Sequence, residues 1–214
     1  PEGNNFRFGS VGKAQKDVEL KIGDDGEVLI KGPNIFQGYY KNEDATKETL
    51  ENGWLHTGDL GRLDEDGYLY ITGRKKDIII TAGGKNITPA NLENGLKQNR
   101  WISQAVVIGD RRPYLVALVT LDPEETPALA EKLGIEDADP AALSQNEKVR
   151  EEIQKGVDEV NSHVGPVEQI KRFEILDHDL SQETGELTPT LKVKRNVVHE
   201  KFADVVDRIY GAPR

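Results

Sequence analysis

Apolar and polar residues alternate through "VELKI" (18–22), the period-two pattern of a strand buried on one face, and "YLYIT" (68–72) supplies the return strand of a second hairpin. Asp25-Gly26 and Asp66-Gly67 favour tight turns, so residues 11–73 are expected to form antiparallel sheet made of hairpins. Between them "NEDATKETLENG" (42–53) predicts a short helix with Asn42 as its N-cap and Gly53 just beyond its end. From Asp77 the pattern changes. A strand "DIIIT" runs into "AGG", Thr88 and Pro89 open a helix carrying Leu92 and Leu96, and "AVVIG" and "YLVALVTL" read as strands. Ser144 with Glu147 predicts a capping box for a helix whose Val149, Ile153, Val157 and Val160 share one face. A strand "IKRFEIL" then leads through a polar loop to a last helix bearing Val193, Val197, Phe202, Val205 and Ile209. The expected class is α+β: an antiparallel, β-barrel-like region, then a small mixed α/β region. The two meet at Arg74–Asp77 without a Ser- or Pro-rich linker.

Composition narrows the chemistry. The 214 residues include no cysteine, which removes disulfides, thiolate nucleophiles and sulfur metal sites. His56, His163, His178 and His199 are too far apart in sequence for a local ligand motif, so any metal is expected to arrive with a ligand. No apolar run approaches the roughly 20 residues that span a bilayer, and no charged-then-apolar leader precedes the first strand; a cytoplasmic chain, or one peripheral at a membrane, is expected. Methionine is absent even from position 1, and the chain is expected to be a piece of something longer.

Charge is unevenly placed. Of the net −10, residues 122–160 contribute −8, with 12 acidic and 4 basic side chains. A solvated helical face is the ordinary meaning of such a stretch, and phosphate repulsion argues against nucleic-acid binding there. Basic residues stand out in two clusters, Arg74–Lys76 and Lys192–Arg195. "HTGDLG" (56–61) puts Asp59 where the returning strand could bring Arg74 alongside, and a carboxylate beside a guanidinium can grip the vicinal hydroxyls of a sugar; a plain turn aspartate is the competing view. Lys192 is expected at or near the first turn of the last helix, where the helix dipole disfavours a cation unless an anion lies beside it; a solvent-facing lysine is the alternative. "ITAGGKN" is not a Walker loop, because Ile79 stands where its first glycine belongs and Asn86 replaces the Ser or Thr. Its paired glycines permit either a ligand passing along bare backbone or simply a bend.

Together "GYYKNEDATKETLENGWLHTGDLG" (38–61), "GYLYITGRKKDIIITAGGKNITPANLE" (67–93) and "TGELTPTLKVKR" (184–195) resemble the acyl-adenylate-forming enzymes, in particular long-chain fatty acyl-CoA synthetases of bacterial type. The resemblance implies a ligase that uses ATP with Mg2+ to form an acyl-adenylate and then transfers the acyl group to coenzyme A. It implies that residues 1–75 end a large N-terminal domain and that 76–214 form a mobile C-terminal domain. It assigns Asp59 and Arg74 to the nucleotide, Lys76 to the hinge, Lys192 to the reacting carboxylate and α-phosphate, Gly83 and Gly84 to the pantetheine channel, and Lys85 to a coenzyme A phosphate. The family's Gly-rich phosphate loop, magnesium site and fatty-acid tunnel match nothing in these residues and are expected upstream, in a partner N-terminal domain, so this chain alone is expected to be inactive. The resemblance implies a structural role for the acidic 122–160 stretch, because the family's long-chain branch often carries a helical insertion at that place. A peptide-synthetase adenylation portion and a non-catalytic module of the same fold remain the alternatives.

Overall fold

The computed structural model describes residues 6–211. They divide into two compact units that succeed one another in sequence after Ile78. No helix among the described residues is long and apolar enough to cross a membrane.

The first unit is an antiparallel sheet of β1 (Glu19–Ile22), β2 (Glu27–Lys31), β3 (Leu50–Glu51), β4 (Trp54–Leu63) and β5 (Leu69–Arg74), with helix α1 (Glu43–Thr49) inserted before β3. The ten-residue β4 is its hub and pairs with β2, β3 and β5. The α+β class holds, although among the described residues the barrel-like unit is an open sheet that does not close. Asn42 caps α1 as expected, its side chain accepting from the Ala45 N–H at 3.1 Å. Gly53 does not end that helix. Asn52 (φ 53°) and Gly53 (φ 79°) are both left-handed and form the two-residue turn between β3 and β4, the mirror turn whose twist matches paired strands.

In the second unit a short hairpin, β6 (Ile79–Ile80) with β7 (Asn86–Ile87), precedes α2 (Pro89–Leu96). The expected strand over 77–81 is thus only two residues long, because a 3-10 turn occupies Lys75–Asp77. A three-stranded mixed sheet follows, ordered β10 (Ile170–Ile175), β9 (Leu115–Leu121), β8 (Ile102–Ile108), with β9 antiparallel to β8 and parallel to β10. Every residue of β9 is buried, as a continuous apolar run predicts for a central strand covered on both faces. Leu115, Ala117, Val119 and Leu121 point into a core with α2, α3 (Thr126–Leu133), α4 (Pro140–Ser144) and α5 (Glu147–Ser162). Val116 and Leu118 point the other way, onto Leu187 and onto α6 (Arg195–Lys201) and α7 (Ala203–Gly211).

Three local expectations are corrected here. The cap of α5 is Asn146, which accepts from the Lys148 N–H at 3.0 Å, whereas Ser144 closes α4 and donates to the Ala141 carbonyl. The last helix is two helices broken at Phe202, and Val193 lies ahead of both. Lys192 is therefore not in a first helical turn but two residues before the N-cap of α6, Lys194.

The acidic 122–160 stretch builds α3, α4 and α5. Glu152 on α5 accepts from Lys132 on α3 at 2.5 Å and from Lys155 at 2.7 Å, and Lys132 foremost, then Lys155, pulls its carboxyl to about 2 against the opposing effect of burial. A carboxyl held below its ordinary value of 4.5 stabilises fully above that pH and loses its contribution as pH falls toward 2. Glu152→Gln is expected to flatten the loss of stability over that acid range, read as the urea midpoint at successive pH values; an unaltered slope would contradict it.

Candidate active-site elements

In the first unit the pairing register of β4 and β5 sets Asp59 opposite Arg74, and the Arg74 Nε forms an ion pair with the Asp59 Oδ1 at 2.9 Å. Asp59 lies in the middle of β4. Both side chains are part-exposed, and an ion pair in that setting stabilises by under about 1 kcal/mol. Fold stability alone gives little reason for the pair. The arrangement instead leaves the other carboxylate oxygen and the guanidinium N–H groups available to an outside ligand. A cleft of about 400 Å³, lined by Thr57, Gly58, Arg74, Lys75 and Lys76, opens beside them.

The three adjacent cations have separate uses. Arg74 meets Asp59, whereas Lys75 meets Asp25 at 2.6 Å and Glu27 at 3.1 Å, and Lys76 is exposed. Glu27, a residue that sequence reasoning passed over, is buried at 4% exposure. It accepts from the Gly58 N–H at 2.8 Å, from Lys75, and is joined to His56 Nδ1 at 3.1 Å. Burial works against its charge, but the Gly58 N–H, His56 and Lys75 outweigh it and hold the carboxyl below its ordinary range. Glu27 thereby fixes the left-handed Gly58 (φ 71°) that turns the chain into Asp59.

In the second unit Lys192 is exposed on a small hairpin. Leu187 and Val193 bridge antiparallel, the Thr188 N–H donates to the Lys192 carbonyl at 2.8 Å, and the Lys192 N–H donates to Thr188 Oγ1 at 3.0 Å. The tip forces Leu191 to φ 58°, a conformation costly for a non-glycine residue. Arg195, from the same basic cluster, has a different use. It pairs with Glu93 of α2, whose Oε1 accepts the Val107 N–H at 2.8 Å.

Gly83, Gly84 and Lys85 form the exposed tip of the β6–β7 hairpin. Gly84 needs its glycine, since its φ is 77°, but a Cβ on Gly83 would meet only Thr81 Oγ1, at 3.9 Å. Nothing in this unit requires a glycine at 83. Lys85 Nζ lies 3.7 Å from Glu168 Oε1, a loose exposed contact. Among the described residues no group of three or more His, Asp or Glu could hold a metal ion.

Residues 76–213 match the family of AMP-binding enzyme C-terminal domains, and the chain belongs to that family. It is 48% identical over 209 residues to the long-chain-fatty-acid–CoA ligase FadD15 of Mycobacterium tuberculosis, covering 97% of this chain and 35% of that protein. With the long-chain-fatty-acid–CoA ligase ACSBG1 of Rattus norvegicus it shares 37% identity over 230 residues, 96% of this chain and 32% of that one. Its structure is similar to that of the amide bond synthetase McbA from Marinactinospora thermotolerans, with a TM-score of 0.64 and 26% identity over 91% of this chain and 36% of that one. The chain thus spans about a third of the length of the curated relatives it matches.

Proposed function

We propose that this chain is the C-terminal portion of an ATP-dependent long-chain fatty acid–CoA ligase, completed by an N-terminal domain that supplies the fatty-acid tunnel, the adenine pocket and the magnesium site. Asp59 and Arg74 hold the ribose of ATP and then of the acyl-adenylate. Lys76 is the pivot between residues 1–75 and the mobile 76–214. In the first half-reaction the fatty carboxylate attacks the α-phosphorus, pyrophosphate leaves, and the Lys192 ammonium stabilises the charge on the pentacoordinate transition state. In the second, the thiol of coenzyme A displaces AMP, with Gly83 and Gly84 lining the pantetheine path and Lys85 reaching a phosphate. The ligase works in the cytoplasm or at a membrane surface.

The observation that carries this reading is the Asp59–Arg74 pair, held in register with acceptor and donor capacity to spare and worth little to the fold itself. The 48% identity to a long-chain-fatty-acid–CoA ligase supports the choice of acid, and the freedom of Gly83 from any packing demand supports close approach of a ligand there. Hydrogen bonds to a charged group are worth about 1.5–3 kcal/mol, so Asp59→Ala in the whole ligase is expected to weaken AMP about 10- to 100-fold. Calorimetric titration of AMP reads this directly, and an affinity within about twofold of wild type would remove Asp59 from the nucleotide site.

A further inference from the structure

Glu186 is the most deeply enclosed acidic side chain of the described residues, at 0% exposure. It stands at the base of the hairpin whose tip carries Lys192, and its backbone carbonyl accepts the Lys194 N–H at 2.7 Å. Its carboxylate gathers what surrounds that hairpin. One oxygen accepts from the Lys201 ammonium at the end of α6; the other accepts from Thr184 Oγ1 and from the Ser181 N–H at 3.4 Å. His178 Nε2 lies 4.0 Å away, buried and without a hydrogen-bond partner.

A buried ion pair is a poor device for stability, since apolar side chains of equal volume commonly serve as well. It does impose direction. The bonds of Glu186 join the 181–184 turn, the hairpin base and the far end of α6, and between them lie the two strands that fix where Lys192 leaves the surface. We propose that Glu186 is a positioning residue for adenylation, holding the 187–193 hairpin in the one arrangement from which Lys192 reaches the reacting phosphate. The inference rests on the assignment of Lys192 given above. The carboxyl stays ionised across the working pH range: burial would raise it, but Lys201 and Thr184 bring it down to about 2.

The test uses the whole ligase and its two half-reactions measured apart, as fatty-acid-dependent ATP–pyrophosphate exchange and as thioester formation from supplied acyl-adenylate. Glu186→Gln is expected to lower the exchange kcat about tenfold or more with little change in the KM for ATP, while thioester formation stays within about twofold. Amide exchange of residues 188–194 is expected to quicken about tenfold, with the β9 amides unaffected. Equal loss in both half-reactions, or unchanged exchange in an enzyme that Lys192→Ala cripples, would overturn the proposal. If Lys192→Ala costs nothing, the assignment of Lys192 fails instead, and the amide exchange alone then decides whether Glu186 orders the hairpin. Should Glu186→Gln fail to fold, Lys201→Met, at the half-exposed end of the pair, carries the same comparison.

Discussion

Lys192→Ala in the whole ligase is expected to cut fatty-acid-dependent ATP–pyrophosphate exchange by about 10²–10³, the equivalent of about 3–4 kcal/mol for one well-placed donor to a developing charge. The expectation follows from where the lysine stands. It is exposed, with its backbone clamped by Thr188 on both its N–H and its carbonyl, so the ammonium is free while its anchor is not. A surface lysine with no further use would tolerate alanine within about 0.5 kcal/mol, and the fold of the second unit is expected to be untouched. Lys192→Arg tests the point-charge character of the group: a planar guanidinium is longer and donates differently, so substantial loss is expected there too. Full exchange in Lys192→Ala would return the residue to the status of a solubilising cation.

The second large effect concerns stability. Arg195→Ala leaves Glu93 in α2 with a carboxylate that is 11% exposed and has lost its charged partner. Breaking a buried pair from one side costs about 3–5 kcal/mol, because the remaining charge keeps its desolvation cost without compensation. Arg195 also donates to the Val107 carbonyl at 3.4 Å, and Glu93 accepts the Val107 N–H, so the pair ties α6 and α2 to the same residue of β8. The loss is expected to fall on the second unit alone, read as faster exchange of the β8 and β9 amides under conditions where the slowest amides report its unfolding. The double variant Glu93→Gln with Arg195→Met is expected to recover part of it. A cost below about 1 kcal/mol in Arg195→Ala would show that water reaches Glu93.

The two basic clusters show how far a sequence carries and where it stops. Period-two alternation and paired Asp-Gly turns located the hairpins of the first unit, and the apolar run 114–121 marked a strand that the structure places at the centre of its sheet. The hairpin brings β4 and β5 together, but the register that sets Asp59 against Arg74 depends on a one-residue shift between Leu60 and Gly61, which the turn does not dictate. The helix ends were less legible. Asn52-Gly53 serves a helix end or a two-residue hairpin equally well in composition, and only the pairing of Glu51 with Trp54 decides between them. Ser144 and Asn146 compete for the same cap, and the preceding α4 takes the serine.

Least legible were the buried acids. Glu27, Glu93 and Glu186 sit in stretches with no period that marks a buried charge, and each depends on a cation distant in sequence: Lys75, Arg195 and Lys201. Tertiary packing alone brings those partners together. The same cause misplaced Lys192. Its neighbours look helical in composition, but the Leu187–Val193 bridge draws the chain into a hairpin before α6 can begin.

The two-state claim, that one lysine serves adenylation while the glycine hairpin serves thioester formation, is tested most directly by rating both half-reactions in Lys192→Ala and in Gly83→Val of the same ligase. Lys192→Ala should lose pyrophosphate exchange and keep thioester formation from supplied acyl-adenylate, and Gly83→Val should do the opposite. Parallel losses of similar size in both half-reactions for both variants would contradict it.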